Sequence, residues 1–194
     1  ENVDEIIKNM DGIMIASGCS DKSNREVLEL VEKYPNVYGA IGIHPEDISG
    51  ISEESFKFIE DNINNPKIVA IGEIGLDYYW VKDNKEEQKE IFIKQINLAK
   101  KYKKSIVVHT RDSISDTYEI LSKYAKGLKI DIHCFSGSLE MALNFIKLGC
   151  RLGIGGVLTF KNNLKLKEVI KNIDLEHLLL ETDSPYLTPE PNRG

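Results

Sequence analysis

The sequence predicts an α/β barrel of the TIM (β/α)8 type, formed as one domain over residues 1–194. Three observations carry that prediction. Short apolar runs alternate with amphipathic stretches from end to end, the pattern of a parallel sheet covered by helices. Four of the runs, KIVAIGE, SIVVH, LKIDIH and LLLETD, end on or just before an acidic or imidazole residue: Glu73, His109, His133 and Asp183. No linker or low-complexity stretch divides the chain. The C-terminal ends of parallel barrel strands converge on one mouth, so the four side chains are expected to meet there.

Taken in order, Val3 to Met10 reads as the tail of a helix. The first strand, GIMIASG (12–18), precedes a helix from Asp21 to Tyr34 whose apolar stripe is Val27, Leu28, Leu30 and Val31. The second, VYGAIGIHP (37–45), precedes a helix beginning near Ser52, where S-E-E-S supplies an N-cap and first-turn acids. KIVAIGEIGLD (67–77) leads through a loop holding Tyr78, Tyr79 and Trp80 into a long helix, Glu86 to Lys104. Its Ile91, Phe92, Gln95, Leu98 and Ala99 recur at near-helical spacing, and its lysines gather in the last turns, as the helix dipole favours. SIVVHTRD is followed by a helix from Ser113 to Lys126, LKIDIHCFSG by one from Ser138 to Leu148, and CRLGIGGVLT by one from Leu164 to Asn172. LLLETDSP closes the series, giving seven strands and six intervening helices. A closed barrel has eight strands and about 250 residues. An eighth strand before Glu1 and a last helix after Gly194 are therefore expected to complete it. A doubly wound open sheet competes, but no glycine-rich phosphate loop follows the first strand.

Charge narrows the function. With 31 acidic and 25 basic residues and a net charge of -6, the chain does not attract nucleic acid in bulk, so any phosphate contact must be local. Cys19, Cys134 and Cys150 lack CxxC spacing, against both a disulfide framework and a zinc knuckle. A cytoplasmic location is expected. No apolar run approaches the ~20 residues of a membrane span, and ENVDEIIKNM lacks the regions of a signal peptide.

Two imidazoles and two carboxylates at equivalent strand ends make a metal-ligand set. Hydrolysis of a phosphodiester needs a nucleophilic water at neutral pH and stabilisation of charge on oxygen, both of which divalent cations supply. Two cations about 3.5–4 Å apart need a bridging carboxylate, and Glu73 is the candidate. His109 and His133 would ligate as neutral imidazoles. Asp183 would ligate the other side or take a proton from the attacking water, and the residues alone leave both roles open. Glu181, two before Asp183 on the same strand face, would orient a ligand or bind Arg or Lys. Arg111 would address phosphate or pair with Asp112 or Asp116. Arg193 is a second phosphate candidate in a loop at the mouth, where Gly194 permits close approach. Asp77, Tyr78, Tyr79 and Trp80 form a loop that would stack unpaired bases or cap the barrel. Gly153, Gly155 and Gly156 would provide room near the mouth or a bulge. Cys134 should point away from the interior, and His177 should lie at the opposite end.

Six motifs, GIHP (42–45), GEIGLDYY (72–79), VVHTRD (107–112), HCFSG (133–137), ETDSPYL (181–187) and PNRG (191–194), resemble the TatD family of metal-dependent deoxyribonucleases. The resemblance spans almost the whole chain in the family's order. It implies a TIM-barrel metallohydrolase whose metals are held by a His-x-His pair on the first strand, then by a Glu, two His and an Asp. The last four match Glu73, His109, His133 and Asp183. The His-x-His pair has no counterpart: either it lies on the strand expected before Glu1, in agreement with the strand count, or the protein lacks part of one metal site. For His44 the resemblance implies a pocket role, in contact with substrate phosphate or a metal-bound water, against a turn-stabilising role. It further implies two divalent metal ions, Mg, Mn or Zn. The family is described as using Mg, whereas imidazole ligands favour Zn or Mn. The implied substrate is DNA, as a single strand or 3′ end shortened exonucleolytically in the 3′-5′ direction by a monomer. Two alternatives stand beside it: an amidohydrolase-type amide or ester hydrolase, such as an aminoacyl-tRNA deacylase, and a non-catalytic barrel used as a binding module.

Overall fold

A computed structural model describes residues 3–193. Seven strands form one parallel sheet in strict sequence order: β1 (Met14–Ser17), β2 (Val37–Ile41), β3 (Ile68–Asp77), β4 (Ser105–Arg111), β5 (Ile130–Ile132), β6 (Cys150–Ile154) and β7 (Leu178–Leu180). Each strand is followed by a crossover containing a helix, apart from the last. Helix α1 (Val3–Asn9) leads the chain, and α2 (Asp21–Lys33), α3 (Glu53–Asn62), α4 (Lys85–Tyr102), α5 (Ile114–Tyr124), α6 (Leu139–Lys147) and α7 (Leu164–Lys171) fill the crossovers. The sheet is curled as part of a TIM-barrel-like fold, with β1 and β7 as its edges among the described residues.

Local chemistry explains where the helices begin. Ser20 and Ser23 form a reciprocal capping box on α2, Ser52 donates its N–H to Ser55 Oγ at the start of α3, and Ser138 Oγ accepts from Met141 N–H on α6. One buried cluster joins β3–β6 to α4–α7 through Phe92, Ile96, Phe135 and Phe145, and a second joins β1–β3 to α2 and α3 through Val27, Val31, Ile41 and Ile59. The edges are less well covered than the strand pattern suggested. Ile13 and Ile15 beside β2 are 73% and 57% exposed, and Leu180 is 95% exposed, because neither edge strand has a second neighbour among the described residues.

Two strand ends differ from expectation in ways that shape the mouth. The run through GIHP stops being a strand at Ile41, and Pro45–Gly50 turns as a 3-10 helix with His44 at its N-cap. Conversely, Glu73 does not end its strand. The register of β3 on β4 shifts between Ile71 and Ile74, and β3 then runs on to Asp77. That irregularity brings Gly75 opposite His109, with φ of +145° and no room for a Cβ, which would lie 2.0 Å from His109 O. Only glycine serves both needs.

Candidate metal centre

The seven-stranded sheet brings the four predicted ligands together, Glu73 and His109 from β3 and β4, His133 and Asp183 from the segments just after β5 and β7. Glu73 is the hub. Its Oε1 lies 2.9 Å from His109 Nδ1 and 3.8 Å from His44 Nε2, while its Oε2 lies 3.9 Å from His133 Nε2. His133 Nε2 is 3.1 Å from Asp183 Oδ1. The two oxygens of one carboxylate thus address different histidines. His44, expected to face substrate, lies within this group: one ligand atom each from His44, Glu73 and His109 fall within 4.8 Å of one another. Its ring meets that of His109 edge-on with centroids 4.3 Å apart, and its Nδ1 also accepts from Glu46 N–H.

The far nitrogens of the histidines are held as well. His109 Nε2 lies 2.9 Å from Asp77 Oδ2, and His133 Nδ1 lies 2.6 Å from Glu181 Oε2. Glu181 Oε1 accepts from Cys134 N–H at 2.9 Å, and neither Arg nor Lys pairs with Glu181 among the ion pairs of the described residues. Carboxylates behind imidazoles fix ring orientation and raise ligand basicity, as in many metal centres. Asp77 escaped the sequence reading as a histidine partner, since it seemed to belong to a loop. Only the bulge after Ile71 reveals that it continues β3.

Buried amides set the backbone beneath these groups. Gln95 of α4 accepts from Ile43 N–H and donates to Ile43 O, immediately before His44. Seven residues earlier on the same helix face, Gln88 accepts from Asp77 N–H and donates to Asp77 O. Asn24 of α2 grips Gly42 in the same two-handed way. None of the three was recognised from sequence as serving the site, although Gln95 interrupts an apolar stripe, which is the available signal. The backbone N–H groups of Glu73 and His44 complete the frame by donating to Gly18 O and Cys19 O.

Electrostatics follow from this crowding. Burial works to raise the Glu73 carboxyl, but the His109 hydrogen bond and the charges of His133, His109 and His44 draw it down to about 2. Burial lowers His109 and His133, yet the carboxylates prevail: Asp77 and Glu73 raise His109 to about 9, and Asp183 and Glu181 raise His133 to about 12. His44, dominated by burial and by repulsion from His109, falls to about 4. Without a cation, protons on His109 and His133 balance the carboxylates; a divalent cation can take over that role. The donor set of imidazole nitrogen and carboxylate oxygen therefore fits a divalent metal.

The remaining candidates are distributed around this centre. Arg111, at the end of β4, pairs with neither expected acid: Asp116 is engaged by Lys89 and Tyr78, and the Arg111 guanidinium lies over Tyr79 at 4.4 Å and Trp80 at 5.5 Å. Arg193 packs on Phe160, 4.0 Å from its ring centre; Gly194 lies outside the described residues. Gly153 makes room for Glu181, because a Cβ there would sit 2.4 Å from Oε2. Burial pushes the Cys134 thiol up to about 11, leaving it unsuited to act as a thiolate. His177 lies just before β7 beside Glu176, at the other end of the strands.

A TIM-barrel-like sheet whose strand ends gather a His–Glu–His group defines a metal-dependent hydrolase, a class that the relatives share. The chain belongs to the TatD related DNase family, which matches residues 1–194. It is 45% identical over 182 residues to the uncharacterized metal-dependent hydrolase YabD of Bacillus subtilis, covering 93% of this chain and 71% of that protein. The crystal structure of YjjV, a TatD homolog from Escherichia coli, superposes with a TM-score of 0.86 at 32% identity, over 93% of this chain and 70% of that one. A hydrolase TatD family protein from Entamoeba histolytica matches with a TM-score of 0.77 at 31% identity, over 89% and 60% of the two chains. Among the described residues, no helix is long and apolar enough to cross a membrane.

Proposed function

We propose that this chain carries the active site of a deoxyribonuclease that cleaves DNA phosphodiester bonds, working 3′-5′ on single strands or 3′ ends. The observation that carries the reading is Glu73, which reaches His109 and His44 with one oxygen and His133 with the other. A carboxylate so shared suits a bridge between two divalent cations, Mg, Mn or Zn. His109 would ligate on one side, and His133 and Asp183 on the other, while His44, whose Nδ1 accepts from Glu46 N–H, would keep its proton on Nε2 and donate it toward Glu73 or a substrate oxygen. When bound, such cations lower the pKa of water toward about 7 and stabilise charge on phosphate oxygens.

The protein groups do the rest. Asp183 is the most open of the four site carboxylates, at 34% side-chain exposure against 12% for Glu73 and Glu181 and 0% for Asp77. It is the natural group to take a proton from water attacking phosphorus. Asp77 and Glu181 hold the histidine rings against rotation. Arg111, in register with Asp77 at the end of β4, would receive a nonbridging phosphate oxygen, with Arg193 as a second contact. A monomer in the cytoplasm completes the proposal.

The test is digestion of a single-stranded oligonucleotide, labelled at either end, by full-length protein with Mg or Mn and with EDTA. A metal-dependent ladder shortening from the 3′ end, lost in Glu73→Ala and retained in His177→Ala, supports the reading. Equal loss in both variants refutes the site. Absence of cleavage with any metal would favour amide or ester hydrolysis, or a binding role.

A further inference from the structure

Tyr79 and Trp80 stand at the barrel mouth without a cover. Their side chains follow the C-terminal end of β3, yet they are 45% and 61% exposed. A barrel cap would bury such rings, since each large aromatic withdrawn from water gains free energy in proportion to its apolar area. Here the rings are instead held in position from below. Their backbone N–H groups both donate to Asp77 Oδ1, at 2.8 and 2.7 Å. The other oxygen of that carboxylate, Asp77 Oδ2, is the one 2.9 Å from His109 Nε2.

Asp77 itself is sealed from solvent, and its backbone is gripped on both sides by Gln88. One buried carboxylate therefore joins the aromatic pair rigidly to the candidate metal centre. The rings meet edge to face, with centroids 4.8 Å apart and planes at 88°. Arg111, on the adjacent strand and in register with Asp77, lays its guanidinium against both. Neither Asp112 nor Asp116 claims it among the ion pairs of the described residues. The result is an exposed π surface and a cation, one side chain removed from His109.

We propose that Tyr79, Trp80 and Arg111 form a subsite that stacks an unpaired nucleobase of single-stranded DNA, with Asp77 fixing its distance from the metal centre. The inference rests on the nuclease reading and adds to it a reason for strand selectivity. A stacking surface accepts any base with a free π face. In a duplex both faces are already occupied by neighbouring pairs, so only an unpaired or frayed end offers one. Arg111 serves both partners of a nucleotide: its plane can lie against a base and its N–H groups can reach a phosphate. Because the chain is acidic overall, such a local subsite supplies what bulk attraction does not.

Trp80 is the only tryptophan of the 194 residues, which makes the proposal directly readable. Full-length protein in EDTA, where cleavage is stopped, is titrated with a single-stranded oligodeoxynucleotide, with an abasic strand of equal length, and with a blunt hairpin duplex. The Trp80 signal is taken as the difference between the wild type and Trp80→Phe. The intact strand is expected to quench it saturably, and the abasic strand and hairpin to bind about tenfold more weakly or worse without quenching. In anisotropy titrations with a labelled strand, Trp80→Ala should weaken binding about tenfold, while Trp80→Phe keeps a ring and retains most of it. Equal binding of the intact and abasic strands, or no quenching at saturation, overturns the stacking subsite. Failure of the nuclease reading alone leaves the quenching in place with no ladder in the digestion. Failure of the subsite alone leaves the ladder and removes the difference between strands.

Discussion

Gly153→Ala tests how the centre is built, because it acts on a ligand's support without touching a ligand. The new methyl would lie 2.4 Å from Glu181 Oε2 and 3.0 Å from its Cδ, where ordinary contact begins near 3.4 Å. The carboxylate must therefore retreat by about 1 Å. Its end is a flexible side chain, so the retreat is sterically cheap and the fold should survive. What is lost is specific: the 2.6 Å contact with His133 Nδ1 and the 2.9 Å bond from Cys134 N–H. Removing the partner behind a metal-ligating histidine typically weakens metal affinity about 10–100-fold. Gly155→Ala is the matched control, since its Cβ would meet Glu181 Cγ at an ordinary 3.4 Å. Calorimetric titration of full-length protein with Mn or Zn should show the loss in Gly153→Ala and near-wild-type binding in Gly155→Ala. If the two variants bind metal alike, Glu181 does not position His133 and the argument fails.

Two further predictions concern buried polar groups. Gln95→Leu keeps the volume of the side chain but orphans the N–H and C=O of Ile43. At about 1–3 kcal/mol for each buried unpaired group, thermal melting should fall by roughly 5–20 °C; a change of about 1 °C or less would show that water replaces the amide at no cost. Asp131 lies on β5 two residues before His133, its Oδ1 is buried with no hydrogen-bond partner, and burial followed by repulsion from Glu181 pushes its carboxyl up to about 7. The folded state therefore holds this proton after the unfolded chain has released it. Stability is full below the ordinary carboxyl pKa near 4 and declines as pH rises through about 7, by at most about 4 kcal/mol. In EDTA, Asp131→Asn should gain stability over the wild type at pH 8 and little at pH 4; an equal difference at both would refute the assignment.

The order of elements was legible because apolar periodicity and capping residues are local signals: Ser52 and Ser138 stand where the pattern changes from strand to helix. That Glu73, His109, His133 and Asp183 would meet was legible because a titratable residue at the close of an apolar run is costly to bury without a partner. Other parts of the site depend on distances between segments far apart in sequence. Asp77 acquires its role from a register shift that no residue type announces. His44 joins the ligand group because the chain turns at Pro45 instead of extending β2. Gln88 and Gln95 look like polar interruptions of α4 until Asp77 and Ile43 arrive from other strands.

The arrangement also explains which glycines the barrel mouth requires. Two carboxylate strands each grip one histidine at both nitrogens: β3 holds His109 through Glu73 and Asp77, and the segment after β7 holds His133 through Asp183 and Glu181. The first grip is between neighbouring strands and needs them close, which Gly75 allows opposite His109. The second must cross an intervening strand, since β6 lies between β5 and β7. A side chain pointing into the mouth from β6 would block that path, and Gly153 is the residue that leaves it open. A larger residue at Gly153 acts through a histidine that it never replaces, so metal affinity is the quantity in which that substitution should be read; at Gly75 the obstacle is the His109 backbone itself, and thermal stability should fall as well.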